Sequence, residues 1–213
     1  NFPTEITIYD MGKIKIPQEV LNKPGRFEPK ELAIMQSHAA LGAQLLMSSE
    51  RMPGCVIDTA YAHHERLDGK GYPAGLTGDE VSQEARMASV VDVYDAITAD
   101  RVYHKGMPPS TALKRMLEWS GPHLDANYVH AFIKAMGIYP VGSFVELASG
   151  MGGIVVESTE DSLKPVLKVV YNLKQKCFCE VSTLHLEKSG CKEKIIKSID
   201  PLVYGVKIKD FIA

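Results

Sequence analysis

The sequence is poor in several things that would narrow its class. Its 213 residues hold four cysteines (Cys55, Cys177, Cys179, Cys191) and one tryptophan, Trp119. Thiols this few and this scattered do not form the framework of a disulfide-stapled secreted domain, and a reducing cytoplasm is the simplest expected compartment. No apolar run approaches the roughly 18 residues that a membrane-spanning helix needs, so no span is expected. An excess of one charge is also missing. The 24 basic and 26 acidic residues are interspersed and leave a formal net charge of -2. Without a basic block, general binding to nucleic acid or to a membrane surface is excluded, and any phosphate ligand has to be held locally by a metal or a few placed cations. No secretory leader pattern opens the chain, and NFPTEITIYD is too short for a complete first helix, so an upstream segment is expected.

What is present is ordinary for a globular protein. Hydrophobic residues make up 45% and charged residues 23%, enough in this length for one helical core and a small appended module. Pro29 suits a first helical turn, and Leu32, Met35, Ala39, Gly42 and Leu46 follow at helical spacing. Further helices are predicted over 54–64, 84–98, from Ser110 as an N-cap, and over 125–136. From Gly137 the text becomes β-branched and glycine-punctuated. Two short strands are predicted around SGMGG, with two more in PVLKVVYNL and CFCEVSTLHL. The predicted fold is therefore mainly α: an all-helical domain over 1–136, then a small β-rich module over 137–213.

The chemistry concentrates in a few polar residues placed where apolar ones are expected. His63, His64 and Glu65 end an apolar helix. Adjacent histidines diverge by about 100° on a helix, so both reach one site only where the helix ends or where both flank a metal cluster. His38 sits in an otherwise apolar helix, and Asp92 interrupts ASVVDVYDAI. A carboxylate in such a run costs several kcal/mol unless it is paired or ligates a metal. Asp95 is better read as a capping or ion-paired residue. Asp10 stands three residues before Lys13, a carboxylate beside a cation able to hold a phosphate oxygen. Mixed imidazole and carboxylate donors suit Fe, Mn, Zn or similar divalent ions. In the tail, Cys177, Cys179, His185 and Cys191 have a spacing that structural zinc sites do not favour, and free thiols are the better reading. His123 and His130 fall outside the pattern.

These residues lie in recognisable segments. HHERLDGKGYPAGL (63–76) closely resembles the signature loop of the HD-GYP phosphodiesterases, a branch of the HD superfamily. IYDMGKIKIPQEVLNKPG (8–25), MQSHAALG and RMASVVDVYDAITADRVY match the flanking segments in order, so the resemblance covers roughly residues 8–136. Residues 137–213 resemble the β-rich tail of one HD-GYP subgroup. The resemblance implies a metal-dependent hydrolase that opens cyclic di-GMP to pGpG and onward to GMP, with one or two divalent ions per chain, Fe or Mn. It assigns His38, His63 and His64 to one metal, Asp10 to both, and Asp92 to the second. Asp10, Asp92 and Lys13 become the catalytic group. Lys13, Arg101, His104 and Tyr72 become the substrate contacts, and the GYP loop becomes a surface for protein partners. Glu65 and Asp68 either orient a ligating histidine or order the loop.

Two positions depart from the pattern. Tyr9 stands where the family has the histidine of its His-Asp pair, and a neutral phenol is a far poorer ligand than imidazole. His104 stands where the family offers a lysine near the phosphate, with Lys105 beside it. The chain is accordingly either a hydrolase that tolerates Tyr9 or a degenerate member that binds a cyclic dinucleotide or a partner protein without turnover.

Overall fold

The computed structural model describes residues 8–49, 51–99 and 106–212. The chain forms two compact units, one made of Asn1–Gly106 with Met116–His130, the other of Met107–Arg115 with Ala131–Ala213. Among the described residues there are seven α-helices and one five-stranded sheet. None of the helices is long and apolar enough to cross a membrane.

The first unit opens with a 3-10 helix, Ile8–Lys15, followed by α1 (Gln18–Leu21) and α2 (Pro29–Gln36). The amphipathic pattern beginning at Pro29 predicts one continuous helix, but the structure breaks it at Ser37 and restarts it as α3, His38–Met47. The Ser37 amide divides between the Ala33 and Ile34 carbonyls, and its hydroxyl returns to the Ile34 carbonyl at 2.6 Å. Such back-bonding tightens and bends a helix, and here it makes His38 the first residue of a new one. Helix α4 (Gly54–Ala62) ends one residue before the histidine pair. The turn holding both histidines was anticipated as a helix end, and it is one.

Helix α5 (Gln83–Thr98) is capped by Ser82, whose hydroxyl accepts from the Ala85 amide and donates to Asp58. Tyr9, Leu46 and Ala60 form the buried centre that joins the 3-10 helix, α3 and α4, with Ile8, Val56 and Ala88 packed against it. A second cluster, Ala62, Val81 and Ala85, receives Leu67 and Leu76 from the loop after α4. Arg86 ties that loop down through the Val81 and Gly78 carbonyls and through Asp79 and Asp125.

The second unit is built on an antiparallel sheet in the order β4-β3-β2-β1-β5. The strands are β1 (Phe144–Leu147), β2 (Met151–Glu157), β3 (Val166–Asn172), β4 (Cys177–His185) and β5 (Ile195–Ser198). Strands β1 and β2 are joined by residues 148–150, and Met151, Gly152 and Gly153 of the predicted SGMGG turn belong to β2 instead. One face of the sheet buries Val145, Leu147, Val155 and Leu167, and another cluster gathers Phe144, Ile154, Val170 and Tyr171. Strand β5, only four residues with a lysine inside, was not anticipated. Ser110, predicted as the N-cap of α6 (Pro109–Trp119), lies inside that helix instead, and its hydroxyl donates to Ser198 Oγ at 2.6 Å. The four cysteines are free, and among the described residues Cys177, Cys179 and Cys191 do not gather with His185 around one point.

Candidate metal centre

The 3-10 helix carries Asp10 and Lys13 on one side, because residues three apart eclipse in that geometry. The Lys13 ammonium meets Asp10 Oδ2 at 2.5 Å. Gly12, between them, lies directly on α3. A Cβ there would come 1.8 Å from the His38 carbonyl oxygen and 2.5 Å from the Gly42 amide nitrogen. Only glycine permits this approach, and it brings Asp10 Oδ1 to 3.4 Å from His38 Nε2 and 3.8 Å from His63 Nε2.

Each histidine is oriented by the chain around it. His38 Nδ1 faces the Met35 carbonyl at 2.7 Å, and His63 Nδ1 faces the Ala60 and Thr59 carbonyls at 3.0 and 3.1 Å. A ring nitrogen against a carbonyl must carry the hydrogen, so in both neutral rings Nε2 is the bare nitrogen. Those two Nε2 atoms are 3.5 Å apart, and His64 Nε2 lies 3.1 Å from His38 Nε2. Asp10 Oδ1 points into the same space, buried and without a hydrogen-bond donor. Ligand atoms of Asp10, His38, His63 and His64 all fall within 4.8 Å of one another.

Burial sets the protonation of these rings. It holds His38 below the ordinary imidazole range, pushes His63 down to about 4 against the pull of Asp10, and pushes His64 down to about 2 with help from its two neighbours. Three neutral imidazoles, two of them with a bare Nε2, and an orphaned carboxylate oxygen converge on one space, which is the chemistry of a divalent cation site. The residues present fit a metal.

Other residues singled out in the sequence surround this centre. Asp92, on α5, lies on the far side of His64, with Oδ2 3.7 Å from His64 Nδ1; it is not in the tight four-residue group. Tyr72 stacks on the His64 ring at 4.7 Å with 27° between planes. Burial, aided by Asp92 and Asp10, raises its hydroxyl well above the ordinary tyrosine range, so it remains a proton donor. Tyr9 places its ring 4.7 Å from the His63 ring and packs into the apolar core, with its hydroxyl likewise raised by burial and by Asp92, Asp10 and Asp95. Asp68 accepts a two-pronged bond from Arg66 and one from the Lys70 amide, which orders the loop. Arg101 and His104 lie outside the described residues. The role of Gly12 escaped the sequence reading. Its signal is a glycine between two charged residues, two after Asp10 and one before Lys13, inside an otherwise side-chain-rich helical turn.

Residues 6–128, more than half of the chain, match the family described as HD domain. The chain belongs to the HD-domain family. Among its relatives, a cyclic di-GMP phosphodiesterase of Pseudomonas aeruginosa is 41% identical over 190 residues, covering 89% of this chain and 46% of that protein. A 3'3'-cGAMP-specific phosphodiesterase of Vibrio cholerae is 36% identical over 133 residues, covering 62% of this chain and 29% of that one. The solved structure of Bd1817, a HDG"Y"P protein from Bdellovibrio bacteriovorus, is 23% identical and covers 57% of this chain and 38% of its own, with a TM-score of 0.47 too low to add to the fold assignment. This HD-domain chain thus spans less than half the length of these relatives.

Proposed function

We propose that this HD-domain chain is a metal-dependent phosphodiesterase that opens cyclic di-GMP to pGpG and onward to GMP. The observation that carries the reading is the convergence of three imidazoles, two of them with a bare Nε2, and Asp10 Oδ1 beside the Tyr72 ring. Relatives named as phosphodiesterases of cyclic dinucleotides support it. In this reading the chain is mainly α, with the helical domain over 1–136 and the β-rich extension over 137–213.

Asp10, His38, His63 and His64 would hold one ion, Fe or Mn, and Asp10 with Asp92 a second. A divalent ion bound there supplies Lewis acidity and lowers the pKa of water. The chain's own residues supply binding and charge. Lys13 swings from Asp10 to a non-bridging phosphate oxygen, Arg101 and His104 provide further contacts, and the Tyr72 ring forms a wall against which a guanine or ribose lies. Neutral histidines keep their lone pairs for the ion at any pH near 7.

A second reading, binding without turnover, is favoured by Tyr9, which puts a core-packed phenol beside Asp10 in place of an imidazole. One experiment separates the two. The chain loaded anaerobically with Fe²⁺ or Mn²⁺ is incubated with cyclic di-GMP, and with 3'3'-cGAMP in parallel, and products are resolved by ion-pair chromatography. Formation of pGpG is expected. Saturable cyclic di-GMP binding with no product over hours would establish the second reading instead.

A further inference from the structure

Glu65 follows the two histidines directly, yet its carboxylate does not join them. It is 3% exposed, and an ionised carboxylate so buried costs several kcal/mol unless it is fully hydrogen-bonded. Its partners are three consecutive backbone amides of the GYP loop: Ala74 at 2.6 Å and Gly75 at 3.0 Å on Oε1, and Leu76 at 3.0 Å on Oε2. Successive N–H groups converging on one anion form a nest, and here the anion belongs to the protein itself. Two further contacts fix the near side of the loop. The Tyr72 amide donates to the His64 carbonyl at 3.3 Å, and Gly71 lies so close that a Cβ would meet Glu65 Cα at 2.4 Å. The residue held between these anchors is Tyr72, stacked on His64.

We propose that Glu65 is a positioning residue that clamps the GYP loop and thereby sets the Tyr72 wall of the substrate pocket, without acting on the metal. This rests on the phosphodiesterase reading for its kinetic consequence, but the clamp itself is independent of it. His63 and His64 face the ion while the next residue faces away from it, so one turn of chain serves both the metal and the loop. Glu65 does not orient the ligating rings: the Nδ1 hydrogens of His38 and His63 go to main-chain carbonyls, and His64 Nδ1 lies 3.7 Å from Asp92 Oδ2.

The test compares the Mn²⁺-loaded full chain with its Glu65→Gln variant. A glutamine has one acceptor oxygen and turns an N–H₂ donor toward the amides. Charge-assisted bonds of this kind contribute enough that KM for cyclic di-GMP should rise about tenfold and the amides of residues 74–76 should exchange at least about tenfold faster. Bound Mn²⁺ per chain stays unchanged, and kcat stays within about twofold. Added to Tyr72→Ala, Glu65→Gln produces no further rise in KM, because both act through the same ring. Loss of Mn²⁺ with loss of kcat would overturn the proposal, as would unchanged exchange or a full additional KM effect on top of Tyr72→Ala. Should Glu65→Gln not fold, Ala74→Pro decides. It removes one donor at an exposed residue, and a KM rise of about fivefold with Mn²⁺ content intact is expected, whereas an unchanged KM rejects the clamp. If the unmodified chain neither cleaves nor binds cyclic di-GMP, the phosphodiesterase reading fails, and amide exchange with Mn²⁺ content still decides the role of Glu65.

Discussion

The Nε2 atoms of His38 and His63 stand 3.5 Å apart, each bare of hydrogen because the opposite nitrogen of its ring is bonded to a carbonyl. Two lone pairs facing one another at that distance repel, and the nearest carboxylate oxygen adds to the repulsion. A cation between them turns this repulsion into attraction.

Removing either ring should therefore be read first in metal content. His38→Ala and His63→Ala are each expected to lower affinity for Mn²⁺ by at least about 100-fold, beyond the 10- to 100-fold seen when only an outer partner of a ligand is lost. Isothermal titration and elemental analysis of the desalted protein would check this. Retention of a full complement of metal in both variants would contradict the site.

Acid should destabilise the metal-free chain. His63 falls from the ordinary 6.5 to about 4 and His64 from 6.5 to about 2, so the unfolded chain binds protons that the folded chain refuses. A depressed folded-state value means stability is fully present above about pH 6.5 and declines as pH falls toward 4, with the slope set by the difference in bound protons. Calorimetry in EDTA from pH 8 to 4 should show a flat melting temperature above 6.5 and a steady fall below it. Added Mn²⁺ should raise the melting temperature, and that increment should shrink as pH falls.

Gly12→Ala tests whether the 3-10 helix is pressed onto α3. The clashing atoms are backbone, 1.8 and 2.5 Å from the added Cβ, so no side-chain rotation relieves them. A loss of about 2 to 3 kcal/mol is expected from overpacking of this kind, together with weaker Mn²⁺ binding as Asp10 is displaced. Chemical denaturation and metal titration measure the two effects. A variant as stable as the parent would show that the approach is looser.

Asp92 and Tyr9 separate the two halves of the centre. Asp92→Asn is expected to retain the ion held by Asp10, His38, His63 and His64 while losing more than about 100-fold in kcat. Tyr9→Phe should leave metal content and kcat within about threefold, since the ring packs against Leu46 and Ala60 and the hydroxyl stays protonated. A collapse of activity in Tyr9→Phe would make the phenol a functional ligand.

The helices after Pro29 and the first four strands were legible because their apolar spacing reports burial directly. Strand β5 was not: its four residues take their place from pairing with β1, a long-range contact that no local pattern encodes. The break at Ser37 was invisible for a related reason, since Leu32, Met35, Ala39 and Gly42 keep helical spacing across it and only the serine's own hydrogen bonds reveal the bend. At the site, residue types carried the chemistry, and an imidazole or carboxylate in an apolar stretch was a usable signal. Which direction each side chain takes was not in the sequence. Glu65 was as consistent with steadying a histidine as with holding the loop, and the difference depends on three amides that come nine to eleven residues later.

The main-chain carbonyls that hold His38 and His63 in a single tautomer also bear on competition among metals. Copper binds nitrogen donors more tightly than manganese or iron on raw affinity, and it prefers a flat, tetragonal arrangement. His38 begins α3 and His63 caps the end of α4, so each donor is fixed both by its carbonyl and by a helix packed into the core. Flattening such an array would cost the packing of α3 and α4 together. Rigidity fixed by two carbonyl bonds can therefore act as a filter, disfavouring the ion that would win on affinity alone.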